Sequence, residues 1–127
     1  MMTLEHNKQT VIDFITQSFN AQQPADAVAK YVGAQYIQHD PQSADGTEAF
    51  IQMASGFAGQ FPQMKIAIKR VIAEGDLVAA HVQIMLAPEI PNMAGVEIYR
   101  LADGKIVEHW NVLQPVPEQA ANNNTMF

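Results

Sequence analysis

The order of patterns along the 127-residue chain predicts a single α+β domain. Helical spacing of apolar residues dominates the first half, and from about residue 64 the pattern changes to β-rich runs separated by short turns. Helices followed by consecutive hairpins are typical of a curved antiparallel sheet that wraps its helices on one face. We expect one domain over residues 1–127, with a strap or frayed end from about residue 116.

Two helices are predicted before the first strand. Apolar residues recur at i, i+3 and i+4 between Leu4 and Phe19, which indicates a helix with one buried stripe. The run ADAVAKYVG fits a short second helix, because Pro24 stands near its first turn and Gly33 just past its end.

A third helix is predicted after the loop PQSADG. Asp45 and Glu48 have the spacing of a capping box, and Pro62 ends the helix. The apolar residues at helical spacing behind that start are Phe50, Met53, Ala54, Phe57 and Phe61. These residues are more typical of a core face than of a cofactor site.

Five strands are predicted around these helices. YIQHD has β-type residues in alternation and is stopped by Pro41. MKIAIKRVIAEGDLVAAHVQIML contains two β-rich runs around EGD, and GVEIYRLADGKIVEHWNVLQ contains two more around ADG. The second half should therefore form two consecutive hairpins.

The turn LADGKI decides which side chains of the second hairpin share a face. An Asp-Gly pair followed by Lys suits a three-residue loop closed by a bulge, which pairs Leu101 with Lys105 and Glu97 with His109. A two-residue turn would shift the pairing by one residue, put Glu97 opposite Trp110 and break up the cluster. In the first register one face carries Glu97, Tyr99, His109 and Asn111.

Composition excludes several classes of function. A net charge of -6 with only seven Lys and Arg argues against binding nucleic acid. The absence of cysteine removes disulfides and thiolate chemistry. No signal peptide and no apolar stretch long enough to cross a membrane is visible, so we expect a cytoplasmic protein with no membrane partner.

Two further histidines are candidates for the same site. His39 ends the first strand, and His81 shares a strand face with Gln83, although most such histidines are structural. None of the histidine and carboxylate spacings matches a zinc or non-haem iron pattern, so no metal site is predicted. The chain also lacks a GxSxG elbow and a nucleotide-binding glycine loop, so no cofactor is predicted.

A succession of motifs resembles a known family. YIQHDP, DGTEAF, IKRVIAEGDLVAAH, VEIYRLADGKIVEHWNVLQPVPE and NNNTMF follow one another over about residues 36–127 as in the SnoaL-like polyketide cyclases, within the nuclear-transport-factor-2-like superfamily. The resemblance implies a cystatin-like, cone-shaped α+β barrel whose curved antiparallel sheet wraps about three helices around a deep cavity. It also implies a homodimer formed through the outer sheet face, where Trp110 should lie.

The resemblance also implies a mechanism. In such cyclases a cavity carboxylate acts as general acid and base without cofactor or metal, and many relatives carry EHWD in the last strand. This chain has EHWN, and an amide at Asn111 cannot titrate. The resemblance therefore implies that Glu97 is the base, with His109 and His39 as the next candidates and Asn111 as an orienting donor.

Two classes of function follow from this comparison. The first is a cofactor-free enzyme that performs aldol-type cyclisation or isomerisation on a small apolar carbonyl compound. The alternative is a non-catalytic binding protein on the same fold, because Asn111 replaces the usual Asp; other chemistry, such as epoxide hydrolysis or dehydration, also stays open. The residues expected to bind the substrate are Tyr36, Phe50, Met53, Phe57, His81, Met85 and Tyr99.

Overall fold

The structure is a computed structural model in which residues 2–127 are described. It contains three α-helices and a five-stranded sheet, as the sequence predicts. The elements are α1 Leu4–Ile15, α2 Pro24–Tyr31, β1 Val32–Gln38, α3 Thr47–Gln60, β2 Lys65–Glu74, β3 Leu77–Met85, β4 Met93–Ala102 and β5 Lys105–Pro115. A π-helical turn at Thr16–Asn20 continues α1, so helical structure extends past Phe19.

A side chain caps the start of α1, but none caps the start of α3. Thr3 caps α1, because its hydroxyl accepts the backbone N–H of His6 at 3.0 Å. The predicted capping box of α3 is wrong: Gly46 precedes the helix and no side chain caps it. Asp45 is used elsewhere, since its Oδ1 accepts the backbone N–H of Gln38 at 2.7 Å and fastens the loop to the end of β1.

The sheet is mixed and open, with strand order β1-β5-β4-β3-β2. The predicted α+β fold, with a curved sheet against three helices, is confirmed. One detail is wrong: β2 to β5 pair antiparallel as predicted, but β1 runs parallel to β5. The reason is connectivity, because α3 separates β1 from β2 and no hairpin fixes the direction of β1. Gly33 lets β1 approach closely: a Cβ there would lie 3.1 Å from Val107 Cγ1.

The second hairpin turns through two residues, not three. Asp103 and Gly104 both have positive φ, 52° and 78°, which is the requirement of a type I′ turn. Ala102 therefore pairs with Lys105, and the predicted pairing of Leu101 with Lys105 is wrong.

A β-bulge next to the turn returns the side chains of β4 and β5 to the faces that the sequence predicts. The pairing register shifts by one residue next to Arg100, which leaves Val107 without a cross-strand partner. Glu97 then lies opposite Asn111, and Tyr99 lies opposite His109. The predicted cross-strand partners are wrong, but all four side chains share the predicted face, because two one-residue shifts together preserve the alternation.

The core lies between the helices and the inner face of the sheet. Phe14 of α1 packs against Phe50 of α3 and Tyr99 of β4, with ring centroids 5.1 and 6.0 Å apart. From residue 116 the chain has no helix or strand, but Phe127 packs on His81 with ring centroids 6.0 Å apart. Among residues 2–127, no helix has the length and apolar character that spanning a membrane requires.

Candidate functional site

A pocket of about 340 Å³ lies between the inner face of the sheet and the helices. Its size falls at the lower end of small-molecule sites. One part of its wall is apolar: Phe19, Phe50, Met53, Phe57, Met64, Ile66, Ile84, Leu86, Met93 and Leu113. The other part carries groups that exchange hydrogen bonds or protons: Tyr36, Gln38, Asp40, Gln42, Ser43, Glu97, Tyr99, His109 and Asn111.

A second hollow lies on the protein surface between α1 and β2. It has a volume of about 370 Å³, and its wall includes Lys8, Lys69 and Arg70. Lys8 is already paired with Glu5 at 2.8 Å. This hollow is more open than the inner pocket and gathers no buried titratable group, so the inner pocket is the candidate site.

Glu97 and His109 form the central pair of the pocket. Neighbouring strands β4 and β5 bring Glu97 Oε2 to 3.3 Å from His109 Nε2, and the two side chains are only 14% and 7% exposed. Gln38 holds the other ring nitrogen, because its Oε1 lies 2.6 Å from His109 Nδ1. The rings of Tyr99 and Tyr36 flank the imidazole, with centroids 4.8 and 6.3 Å away.

Asp40 is a second pocket carboxylate, and sequence reasoning missed its role. Asn111 Nδ2 donates to Asp40 Oδ2 at 3.1 Å, and the backbone N–H of Gln42 donates to Oδ1 at 2.9 Å. The amide on β5 is therefore directly bonded to a carboxylate from the end of β1. The signal was present in YIQHD, whose period of two puts Tyr36, Gln38 and Asp40 on one face.

The two tyrosines of the pocket remain protonated donors. Burial raises the pKa of Tyr36 and of Tyr99, and the negative charge of Glu97 raises both further. The nearby Gln38 side chain offsets only part of the rise in the pKa of Tyr36. The Tyr36 hydroxyl is buried and makes no hydrogen bond of normal geometry within residues 2–127. An unpartnered donor on a pocket wall is available to a ligand.

Three of the predicted site residues lie outside the pocket. His39 falls on the opposite face of the same alternation, where it stacks on Trp110 at 4.8 Å and bonds Glu108 at 2.7 Å. His81 contacts the Arg70 guanidinium on the outer face of the sheet. Met85 pairs across from Lys65, while its neighbours on either side line the pocket. The predicted placement of these three in the cavity is wrong.

The other predicted site residues are brought together. Glu97, His109 and Asn111 line the pocket together with all five remaining residues expected to bind substrate, which are Tyr36, Phe50, Met53, Phe57 and Tyr99. Within residues 2–127, no group of three His, Asp or Glu side chains is arranged to hold a metal ion.

A family profile described as SnoaL-like polyketide cyclase matches residues 9–120. The chain belongs to the SnoaL-like polyketide cyclase family. The match spans most of α1, the whole sheet and every polar residue of the pocket. No curated protein sequence matches this SnoaL-like chain significantly.

Solved structures share the fold at low sequence identity. TsrD from Streptomyces laurentii superposes with a TM-score of 0.75 at 15% identity, covering 89% of this chain and 91% of its own. A candidate SnoaL-like polyketide cyclase from Jannaschia sp. CCS1 gives 0.72 at 20%, covering 89% of each chain. A candidate ketosteroid isomerase from Kribbella flavida DSM 17836 gives 0.74 at 14%, covering 98% of this chain and 89% of its own. At these identities the likeness concerns the fold alone.

Proposed function

We propose that this SnoaL-like protein is a cofactor-free acid–base enzyme acting on a small, largely apolar carbonyl compound. The reaction is an aldol-type cyclisation or an isomerisation that begins with proton removal next to the carbonyl. The Glu97–His109 pair carries this proposal, because it is a buried carboxylate–imidazole contact in a mostly apolar pocket, 3.3 Å apart. Such pairs are the usual agents of general acid–base catalysis.

Hydrogen bonding favours Glu97 over Asp40 as the base. Asp40 accepts hydrogen bonds on both oxygens, from Asn111 and from the Gln42 backbone, and adding a proton would disturb this arrangement. Glu97 has a single polar contact, the long one at 3.3 Å to His109 Nε2. Glu97 is therefore freer to take a proton, while Asn111 and Asp40 shape the neighbouring wall.

The proton transfer balances with groups already in the pocket. The C–H proton next to the carbonyl moves to Glu97, the electron pair of that bond forms a carbon–carbon double bond, and the π pair of the carbonyl moves onto its oxygen to give an enolate. The unpartnered Tyr36 hydroxyl can donate to the oxygen as its negative charge develops. In isomerisation the proton then returns from Glu97 to a different carbon. In aldol closure the enolate carbon bonds to a second carbonyl carbon of the substrate, the oxygen of that carbonyl becomes an alkoxide, and Glu97 returns the proton to it.

The charge of the pocket disfavours anionic substrates. No Lys or Arg lines the pocket among residues 2–127, while Glu97 and Asp40 both do. An anionic ligand would meet two carboxylates without a compensating cation. Met53, Met64 and Met93 on the apolar wall can adapt to ligands of different shapes, because methionine is flexible and polarisable.

Deuterium exchange tests the proposal without a known substrate. Neutral cyclic and aryl ketones are incubated with the protein in D₂O, and mass spectrometry measures deuterium gained next to the carbonyl. We expect exchange with the wild type, a loss of about 10²- to 10⁴-fold in Glu97→Gln, and a smaller loss in Asp40→Asn. Equal exchange by wild type and Glu97→Gln would overturn the assignment of the base.

A non-catalytic binding protein is the second candidate, and Asn111 is the observation that favours it. The β5 position carries an amide, which binds Asp40 and cannot titrate. On this alternative, ketones that bind, as seen by a rise in melting temperature, show no deuterium exchange with any variant. Binding together with exchange would exclude the alternative.

We also propose a homodimer through the outer face of the sheet. Val112 and Ile72 are 72% and 66% exposed there, and Val96 on β4 lies beside Val112. Ile98 and Trp110, paired across β4 and β5, extend this apolar patch. Sedimentation should give twice the chain mass, and Val112→Asp should halve it; a wild-type monomer at high concentration would contradict the dimer.

A further inference from the structure

We infer that Gln38 is a positioning residue that holds a proton on Nδ1 of His109, so that Nε2 is the ring atom that exchanges a proton with Glu97. The role of Gln38 in turnover rests on the proposed function. The position of the proton on the ring does not, because it follows from the hydrogen bonds of the free protein.

The backbone of Asp40 identifies which end of the Gln38 amide faces the histidine. Gln38 Oε1 lies 3.1 Å from the backbone nitrogen of Asp40 and 2.6 Å from His109 Nδ1. A backbone N–H can only donate, so the Gln38 atom that meets it must be the carbonyl oxygen and not the amide nitrogen. The backbone N–H of Gln38 itself is held by Asp45 at 2.7 Å, which keeps the strand end in place.

The same oxygen then fixes the tautomer of His109. A carbonyl oxygen only accepts, so Nδ1 must carry a hydrogen and donate it to Gln38. When the imidazole is neutral it carries one N–H, and a hydrogen on Nδ1 then leaves a lone pair on Nε2 facing Glu97 Oε2 at 3.3 Å. His109 is 5% exposed, so water offers little alternative to these two partners.

This arrangement prepares Glu97 to receive a proton. When Glu97 takes a proton from a substrate carbon, the new carboxylic O–H can donate to the Nε2 lone pair. The opposite tautomer would place a hydrogen on Nε2, donate it to the Glu97 carboxylate and oppose protonation of that oxygen. Gln38 thus selects the histidine form that supports proton uptake by its neighbour.

Nitrogen NMR of the free protein tests the tautomer. In protein with ¹⁵N-labelled histidine, couplings from the ring C–H protons distinguish Nδ1–H from Nε2–H, and His109→Asn identifies the His109 signals. We expect Nδ1–H in the wild type and in Gln38→Glu, whose carboxylate also accepts from Nδ1. Gln38→Met removes the acceptor and should shift His109 toward Nε2–H.

Matched variants separate positioning from general disturbance of the strand. Gln35→Met makes the same change at an exposed position of β1 and should leave the His109 signals unchanged. An Nε2–H form in the wild type, or the same spectrum in Gln38→Met as in the wild type, would overturn the inference. So would a Gln38→Glu spectrum that matches Gln38→Met while both variants keep the wild-type circular dichroism.

Ketone exchange kinetics supply a second measurement. Gln38→Met should lower kcat about tenfold, the equivalent of one hydrogen bond, with little change in KM. Gln38→Glu should recover most of that loss. If no variant exchanges any ketone, the proposed function fails, while the NMR result still decides the tautomer. Normal kcat in Gln38→Met with a changed tautomer would show that the tautomer does not matter for turnover and would overturn the positioning role.

Discussion

Two histidine–glutamate pairs lie on opposite faces of the same sheet. On the inner face, Glu97 and His109 are 3.3 Å apart. On the outer face, Glu108 and His39 are 2.7 Å apart, and Arg100 bonds the second oxygen of Glu108, also at 2.7 Å. The pairs use the same residue types and share strand β5, where Glu108 and His109 are neighbours. Their partners differ in position, since Glu97 belongs to β4 and His39 follows the end of β1.

The surroundings of each pair decide what it can do. The hydrogen bonds of His39 and Arg100 lower the pKa of Glu108. That carboxylate therefore remains ionised and bonded to both partners. Glu97 has no such cation, and its neighbours Tyr36 and Tyr99 are tyrosines whose pKa is raised. A satisfied ion pair suits a structural role, whereas a buried pair without a cation suits proton exchange.

Replacing one histidine at a time should give the largest difference in activity between the two faces. His109→Asn should reduce ketone exchange by about 100-fold, the lower end of general acid–base contributions. It should also destabilise the fold by about 1–3 kcal/mol, because the pocket loses the buried imidazole together with its contacts to Gln38 and Glu97. His39→Asn should change the exchange rate by less than about twofold, because His39 lies on the outer face and does not line the pocket. Exchange rates and urea unfolding measure both effects, and equal losses in the two variants would refute the comparison.

High pH should destabilise the protein, because Tyr36 and Tyr99 on the inner face ionise more easily in the unfolded chain than in the folded protein. The folded pKa of Tyr36 and of Tyr99 is raised, so their stabilising effect is complete below about pH 10 and is lost above it, where the unfolded chain releases their protons. Tyrosinate absorbance and circular dichroism should therefore change together. Tyr36→Phe should reduce the loss of stability with rising pH, whereas Tyr31→Phe, outside the pocket, is the control. Tyrosinate signals of both pocket residues in the folded protein would contradict the prediction.

Local patterns predicted the elements and the faces of the second hairpin. Helical spacing identified α1 and α3, and alternation in β4 and β5 placed Glu97 with His109 even though the turn type was wrong. The alternation survived because the type I′ turn and the bulge near Val107 offset each other. The two-residue turn was the alternative that Asp-Gly in LADGKI left open. The bulge could not be predicted from these residues, since it depends on packing against the neighbouring strand.

Contacts distant in sequence were beyond such patterns. Asp40 and Gln38 reach the pocket only because β1 lies parallel to β5, about seventy residues later in the chain, with Gln38 in register with His109. Propensity and turn chemistry describe neighbours in sequence and give no direction for a strand that joins through a helix. The misplacement of His39 has a local cause instead, because the period of two at the end of β1 puts it on the face opposite Tyr36, where it stacks on Trp110.

Acid pH should act on the outer face, with the smallest of these effects. The folded pKa of Glu108 is lowered, so its contribution to stability is present above the usual carboxyl range, near about pH 4.5, and is lost as pH falls below it. Glu108→Gln should therefore narrow the difference between unfolding free energies measured at about pH 6 and about pH 3. Glu89→Gln is the matched control, because Glu89 is exposed and makes no ion pair within residues 2–127. If the unfolding free energy falls equally with pH in the wild type and in Glu108→Gln, the outer pair contributes nothing to stability at acid pH. The contrast between an ion-paired and an unpaired carboxylate would then rest on the inner face alone.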